Sequence, residues 1–168
     1  DVTDISKAVV KMLAGKEIGI GPFAALTGIN IIEGRIAMSA NLIASQIKRR
    51  GKYNYHIKTL TDTECVLEFY EHGKSVGVSA FTIEDARRIK RGNVSLAEGV
   101  NWKNFPRNML FARAVSNGGK WYCSDVFGGS PVYTPEELEP ASMEALQDAK
   151  APQSAGEAKE GEPESTTA

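Results

Sequence analysis

A chain of 168 residues has the length of one domain with room for a core, and its 42% apolar and 24% charged content excludes wholesale disorder and fibrous repeats. No apolar run approaches the roughly 18–20 residues of a membrane span, no basic-then-apolar leader opens the chain, and the two cysteines are too few for a disulfide framework. A protein of the reducing cytoplasm without a membrane partner is therefore expected. The net charge of −1 hides a split: residues 1–131 carry 18 Lys and Arg against 12 Asp and Glu, and residues 132–168 carry 2 against 9. A basic body joined to an acidic tail points to a polyanion partner. Because the first residue is Asp1 rather than Met, a preceding piece is expected to be missing.

Residues 4–19 space Ile5, Val9, Met12 and Leu13 as a helical stripe, with Asp4 as a cap and Gly19 and Gly21 as the stop. A turn-rich passage, 19–28, leads to a hairpin about Glu33-Gly34. Residues 39–50 read as a helix with Leu42, Ile43, Gln46 and Ile47 on one side. After Gly51 the period changes, and three β-branched and aromatic stretches, turning at Thr61-Asp62 and His72-Gly73-Lys74, read as an antiparallel meander. Residues 82–91 form a helix with Thr82 as cap and acids Glu84 and Asp85 in its first turn. A longer helix is expected from Phe105 to Asn117, stopped by Gly118-Gly119, with Trp102, Phe105 and Met109 packing inward. Thr134-Pro135-Glu136-Glu137 opens a short helix limited by Pro140.

The fold class is thus α+β: a small antiparallel meander plus a hairpin, with helices packed on one side. Three segments follow: a core over 1–131, a short helix and linker over 132–148, and an acidic tail over 149–168. The tail holds no aromatic, Ile, Leu or Val and cannot offset the entropy of ordering, so it is expected to be disordered.

Catalytic chemistry finds little support. The glycines between Gly15 and Gly28 lack the Gly-Lys-Ser/Thr ending of a phosphate loop, so ATP binding is not expected. His56, His72, Cys65 and Cys123 show none of the zinc spacings, and no motif places a base beside either thiol. Glu84 and Asp85 serve the helix dipole better than a metal. The basic residues are more informative. They fall in three bursts: Lys48, Arg49, Arg50 and Lys52; then Arg87, Arg88, Lys90 and Arg91; then Lys103, Arg107, Arg113 and Lys120. Tyr53, Tyr55, Trp102, Phe105 and Trp121 lie close by. A positive groove with stacking aromatics is what single-stranded nucleic acid requires.

Three segments resemble the RecT family of phage-derived single-strand DNA annealing recombinases. They are AVVKMLAGKEIGIGP with the following hairpin and the helix ending Lys48-Arg49-Arg50-Gly51; the meander closed by Phe81-Thr82-Ile83-Glu84-Asp85-Ala86; and NWKNFPRNMLFARAVSNGGKWYC, with its Met109 seven residues after Trp102. The resemblance covers about residues 8–124. The family sets several bases directly after that Met, whereas here Leu110-Phe111-Ala112 intervene before Arg113. The resemblance implies the single-strand annealing protein fold, lacking its full N-terminal part, and a non-enzymatic, ATP-independent function in phage-type recombination. The protein would bind single-stranded DNA and the annealed duplex, assemble as a ring or filament, and work with a phage exonuclease and a host single-strand binding protein.

On this reading Lys48, Arg49, Arg50, Lys52, Arg87, Arg88, Lys103, Arg107, Arg113 and Lys120 contact the DNA backbone and Tyr53 offers a stacking platform. No cofactor is expected, Mg2+ entering only as a DNA counterion. Two other readings stay open: an accessory or scaffold protein whose basic face docks an acidic partner protein, and a metal-dependent nuclease.

Overall fold

The structure is a computed structural model that describes residues 2–130 and 132–138; the tail over 149–168 and most of the linker over 132–148 lie outside the described residues. Helix α1 (Val2–Glu17) and a shorter α2 (Pro22–Gly28) precede a hairpin of β1 (Ile29–Ile32) and β2 (Arg35–Met38). Its two turn residues, Glu33 (φ 49°) and Gly34 (φ 76°), both adopt positive φ, the geometry a two-residue hairpin needs to match strand twist. Within the passage read as turns over 19–28, residues 22–28 are helical because Pro22 stands at the first helical position, where its missing N–H costs nothing, and Phe23-Ala24-Ala25-Leu26 continue it.

Helix α3 (Ala40–Arg49) is capped by Ser39, whose hydroxyl accepts from the Leu42 N–H at 3.3 Å. Its buried side carries Leu42, Ile43, Gln46 and Ile47, as the spacing predicts. The meander follows: β3 (Tyr53–Leu60), β4 (Glu64–Glu71) and β5 (Lys74–Thr82), paired antiparallel in that order. Tyr53 lies opposite Glu71, and Cys65 lies between Leu60 and Phe81, so the first and last thirds of the strands define two distinct ends of the sheet. Tyr53, Tyr55, Cys65, Leu67, Phe69, Ser79 and Phe81 alternate onto the inner face and are buried. The outer face, with His56 and Val78, is open to solvent.

At the Thr82 end, a capping box starts α4 (Ile83–Arg88): the Thr82 hydroxyl accepts from Asp85 N–H at 3.1 Å, and the Asp85 carboxylate accepts from Thr82 N–H at 3.0 Å. The helix ends at Arg88 rather than Arg91. Lys90–Arg91 instead form β6, paired with β7 (Val94–Ser95) about a turn at Gly92, whose φ of 63° suits glycine. Helix α5 (Val100–Asn104) buries Trp102 and leads into α6 (Pro106–Tyr122).

Helix α6 crosses the inner face of the sheet and runs through Gly118 and Gly119 instead of stopping there. A Cβ on Gly118 would stand 2.1 Å from the Phe69 ring, so this glycine serves close packing within the helix. Ser79 Oγ donates to the Ala114 carbonyl at 2.7 Å, and Tyr122 donates to the Val78 carbonyl at 3.1 Å, fastening helix to strand at two levels. Phe105 caps α6 and is 57% exposed, whereas Trp102 and Met109 pack inward as expected. Residues 132–138 carry the short helix expected after Thr134, and they pack onto the body rather than standing off it as a linker. Val132 and Thr134 are buried, the Met38 N–H donates to the Tyr133 carbonyl at 2.8 Å, and α7 (Pro135–Leu138) rests near β2. Among the described residues no helix is long and apolar enough to cross a membrane.

Gly118→Ala is expected to lower stability by about 2–3 kcal/mol through overpacking against Phe69, although alanine is ordinarily the better helix former by about 1 kcal/mol. A lower urea midpoint at unchanged slope would show it, and Phe69→Leu in the same chain should recover part of the loss.

Candidate nucleic-acid interface

The last turn of α3 brings Lys48, Arg49 and Arg50 to the surface beside the Tyr53 end of the sheet. Lys48 Nζ stands 4.3 Å from the Tyr55 ring centroid, and Arg49 donates to the Gly19 carbonyl. Lys52 is held differently. Its ammonium lies 2.8 Å from Asp125 and 3.2 Å from Glu71, and 4.6 Å from the Tyr53 ring centroid. The hydrogen bond to Asp125 raises the Lys52 pKa, and the same bond lowers that of Asp125. Tyr53 is buried beneath this ammonium, on the inner face of β3. It has no face to offer a base, and the stacking role read for it is corrected.

The second burst and part of the third meet at the other end of the sheet. Between α4, the β6–β7 hairpin and α5 lies a groove of about 620 Å³ lined by Arg87, Lys90, Lys103, Asp62, Glu98 and Trp102. Arg107, at the start of α6, donates through Nε to Asp62 at 2.7 Å and so joins the rim. Arg87 pairs with Glu84 one turn earlier, and Arg88 lies 3.4 Å from Asp85, both exposed on α4. Lys90 and Lys103 have no carboxylate partner among the described residues. Trp102 is 1% exposed, and its indole N–H has no acceptor among the described residues. Phe105, between the groove-lining Lys103 and Pro106, presents an exposed ring. Lys90 and Phe105 add to the contacts that the sequence predicts: Lys90 reads there only as part of its burst, and the spacing of Phe105 from Trp102 predicts core.

Arg113 and Lys120 turn away from both clusters. They converge on Glu137 of α7, at 3.3 Å and 2.9 Å, and that carboxylate side chain is only 7% exposed. Glu137 also accepts from Ser116 Oγ at 2.5 Å and from Thr134 N–H at 3.3 Å. Burial alone would raise the Glu137 pKa, but the Ser116 hydrogen bond and the charges of Arg113 and Lys120 outweigh it and leave it lowered. The Arg113 guanidinium, 15% exposed and 5.2 Å from the Phe81 ring centroid, is a buried structural cation rather than a surface contact.

The two surface clusters do not merge into one trough. Eight residues of β3 separate them, which at about 3.3 Å per residue is roughly 25 Å. Among the described residues no group of three His, Cys, Asp or Glu is placed to hold a metal ion. The Cys65 and Cys123 thiols are buried, which pushes their pKa values up to about 11 and about 12 and keeps them protonated. A comparison against protein-family models, curated proteins and solved structures finds no match for this chain.

Because the Glu137 pKa is lowered on folding, its contribution to stability is present above the ordinary glutamate pKa of about 4.3 and is lost as pH falls through the folded value. Glu137→Gln, which leaves Arg113 buried without its counter-charge, is expected to cost about 3 kcal/mol at pH 7. The gap from wild type should narrow on acidification below pH 4, as read from urea unfolding at each pH.

Proposed function

We propose that the chain binds single-stranded DNA in the groove between α4, β6–β7 and α5, and anneals complementary strands without ATP, in the cytoplasm. The observation that carries this reading is the grouping of Arg87, Lys90 and Lys103 along one groove, with Arg107 at its rim, from two separate stretches of sequence. A cationic groove neutralises phosphates and releases their counterions whatever the base sequence, and an exposed ring such as Phe105 can stack on any base. Annealing makes and breaks no covalent bond, so it needs only that one strand be held by its backbone with its bases open to the other. The resemblance to the RecT family supports the same reading. Arg113 and Lys120 are assigned to stability, and Lys48, Arg49 and Arg50 to a second contact at the far end of the sheet.

Lys90→Glu with Lys103→Glu is expected to weaken binding of every oligonucleotide of a given length about equally, by roughly 10-fold or more. The slope of log K against log salt should fall by about 1.4, the value for two phosphate contacts on a single strand. Phe105→Ala should weaken binding without changing that slope. Pairing of two dye-labelled complementary strands, followed without nucleotide, should be accelerated by the wild-type chain and not by the double variant. Binding without acceleration would favour a docking role for the basic face.

Arg49→Glu with Arg50→Glu should leave short oligonucleotides unaffected and weaken only strands long enough to span the roughly 25 Å between the clusters. A titration across oligonucleotide lengths checks this.

A further inference from the structure

We propose that α1 pairs with α1 of a second copy of this chain, antiparallel about a two-fold axis. This pairing stands apart from the nucleic-acid reading and is carried by different residues. Helix α1 is turned opposite to an ordinary surface helix. Its side of small residues faces the body, where a Cβ on Gly15 would stand 2.5 Å from Ala25 Cβ of α2. Its larger apolar residues point outward, with Val2 78%, Ile5 65% and Leu13 59% exposed. Val2, Ile5, Val9 and Met12 follow one another at steps of three, four and three, the spacing of a helix–helix seam, and Ile and Val suit such positions.

The surroundings fit a second copy. Two apolar clefts of about 340 and 330 Å³ lie on either side of Leu13, which borders both, and each could receive side chains from a facing helix. With Phe23, Leu26 and Ile36 nearby, the exposed large apolar residues of 2–36 present roughly 800 Å², of the order that each partner contributes to a stable interface. The acid of the first turn, Asp4, and the base of the last, Lys16, sit at opposite ends of α1. An antiparallel partner opposes the two helix dipoles, whereas a parallel one aligns them, and it brings Asp4 of one copy toward Lys16 of the other, although Glu17 follows Lys16 in the last turn. A two-fold arrangement uses the same patch on both copies and closes on itself.

Sedimentation equilibrium of the wild-type chain should give a dimer at tens of micromolar. Val9→Glu and Leu13→Glu, both at exposed positions, should raise the dissociation constant at least 100-fold, with an unfolding midpoint equal to that of the wild-type chain at concentrations low enough for it to be monomeric. Single cysteines test the geometry in an otherwise native chain, since Cys65 and Cys123 are buried. Val9→Cys, near the axis, should couple to its copy through a short bis-maleimide. Val2→Cys should not, because its two copies would stand roughly 21 Å apart along the helices. A wild-type monomer throughout the range, a Val9→Glu chain that still associates, or equal coupling at Val2 would overturn the proposal. So would a monomer that floats with neutral lipid vesicles, which would assign the stripe to a membrane surface.

Discussion

Helix α6 can lie against the sheet only because the Phe69 ring occupies the space that a side chain at residue 118 would fill. With the helix that close, the Ser79 hydroxyl reaches a main-chain carbonyl of α6 and Tyr122 reaches one of β5. Two consequences follow for the surface. The N-terminal end of α6 is set beside the β3–β4 turn, where Arg107 meets Asp62 and α5 closes the groove wall with Lys103. Further along, Arg113, Ser116 and Lys120 face the returning segment, and Glu137 ties that segment to them. One glycine–aromatic contact thus decides which cations of α6 remain at the surface and which are consumed in the interior.

Local rules read well from sequence where neighbours along the chain decide the outcome. The Glu33-Gly34 hairpin, the helix with Leu42, Ile43 and Ile47 inward, the three meander strands and the Thr82 cap with its first-turn acids all depend on residues within a few positions of one another. The readings that changed depend on contacts distant in sequence. Gly118 and Gly119 read as a stop, yet the Phe69 ring makes a small residue necessary at Gly118 inside the helix. The stripe of α1 reads as an ordinary amphipathic face, but Gly15 and Ala25 approach so closely that the small side is the one packed. Phe105 reads as core by its spacing from Trp102, yet it stands at the junction of two helices, where the chain turns it outward.

For the site, the bursts of positive charge were visible but their partners were not, because the acids that engage them are far away in sequence: Asp125 for Lys52, Asp62 for Arg107, Glu137 for Arg113 and Lys120. Such pairing does not remove cations from use equally. Arg107–Asp62 and Arg87–Glu84 are exposed pairs of the kind worth about 0–1 kcal/mol, so a phosphate can replace the carboxylate at little cost. The Glu137 cluster is buried, and separating it would leave a desolvated charge at a cost of several kcal/mol. The binding charge that matters for a polyanion is therefore smaller than the count of Lys and Arg. It comprises the unpaired surface bases together with those whose acidic partners are solvent-exposed, and within the three bursts both kinds lie toward the two ends of the meander.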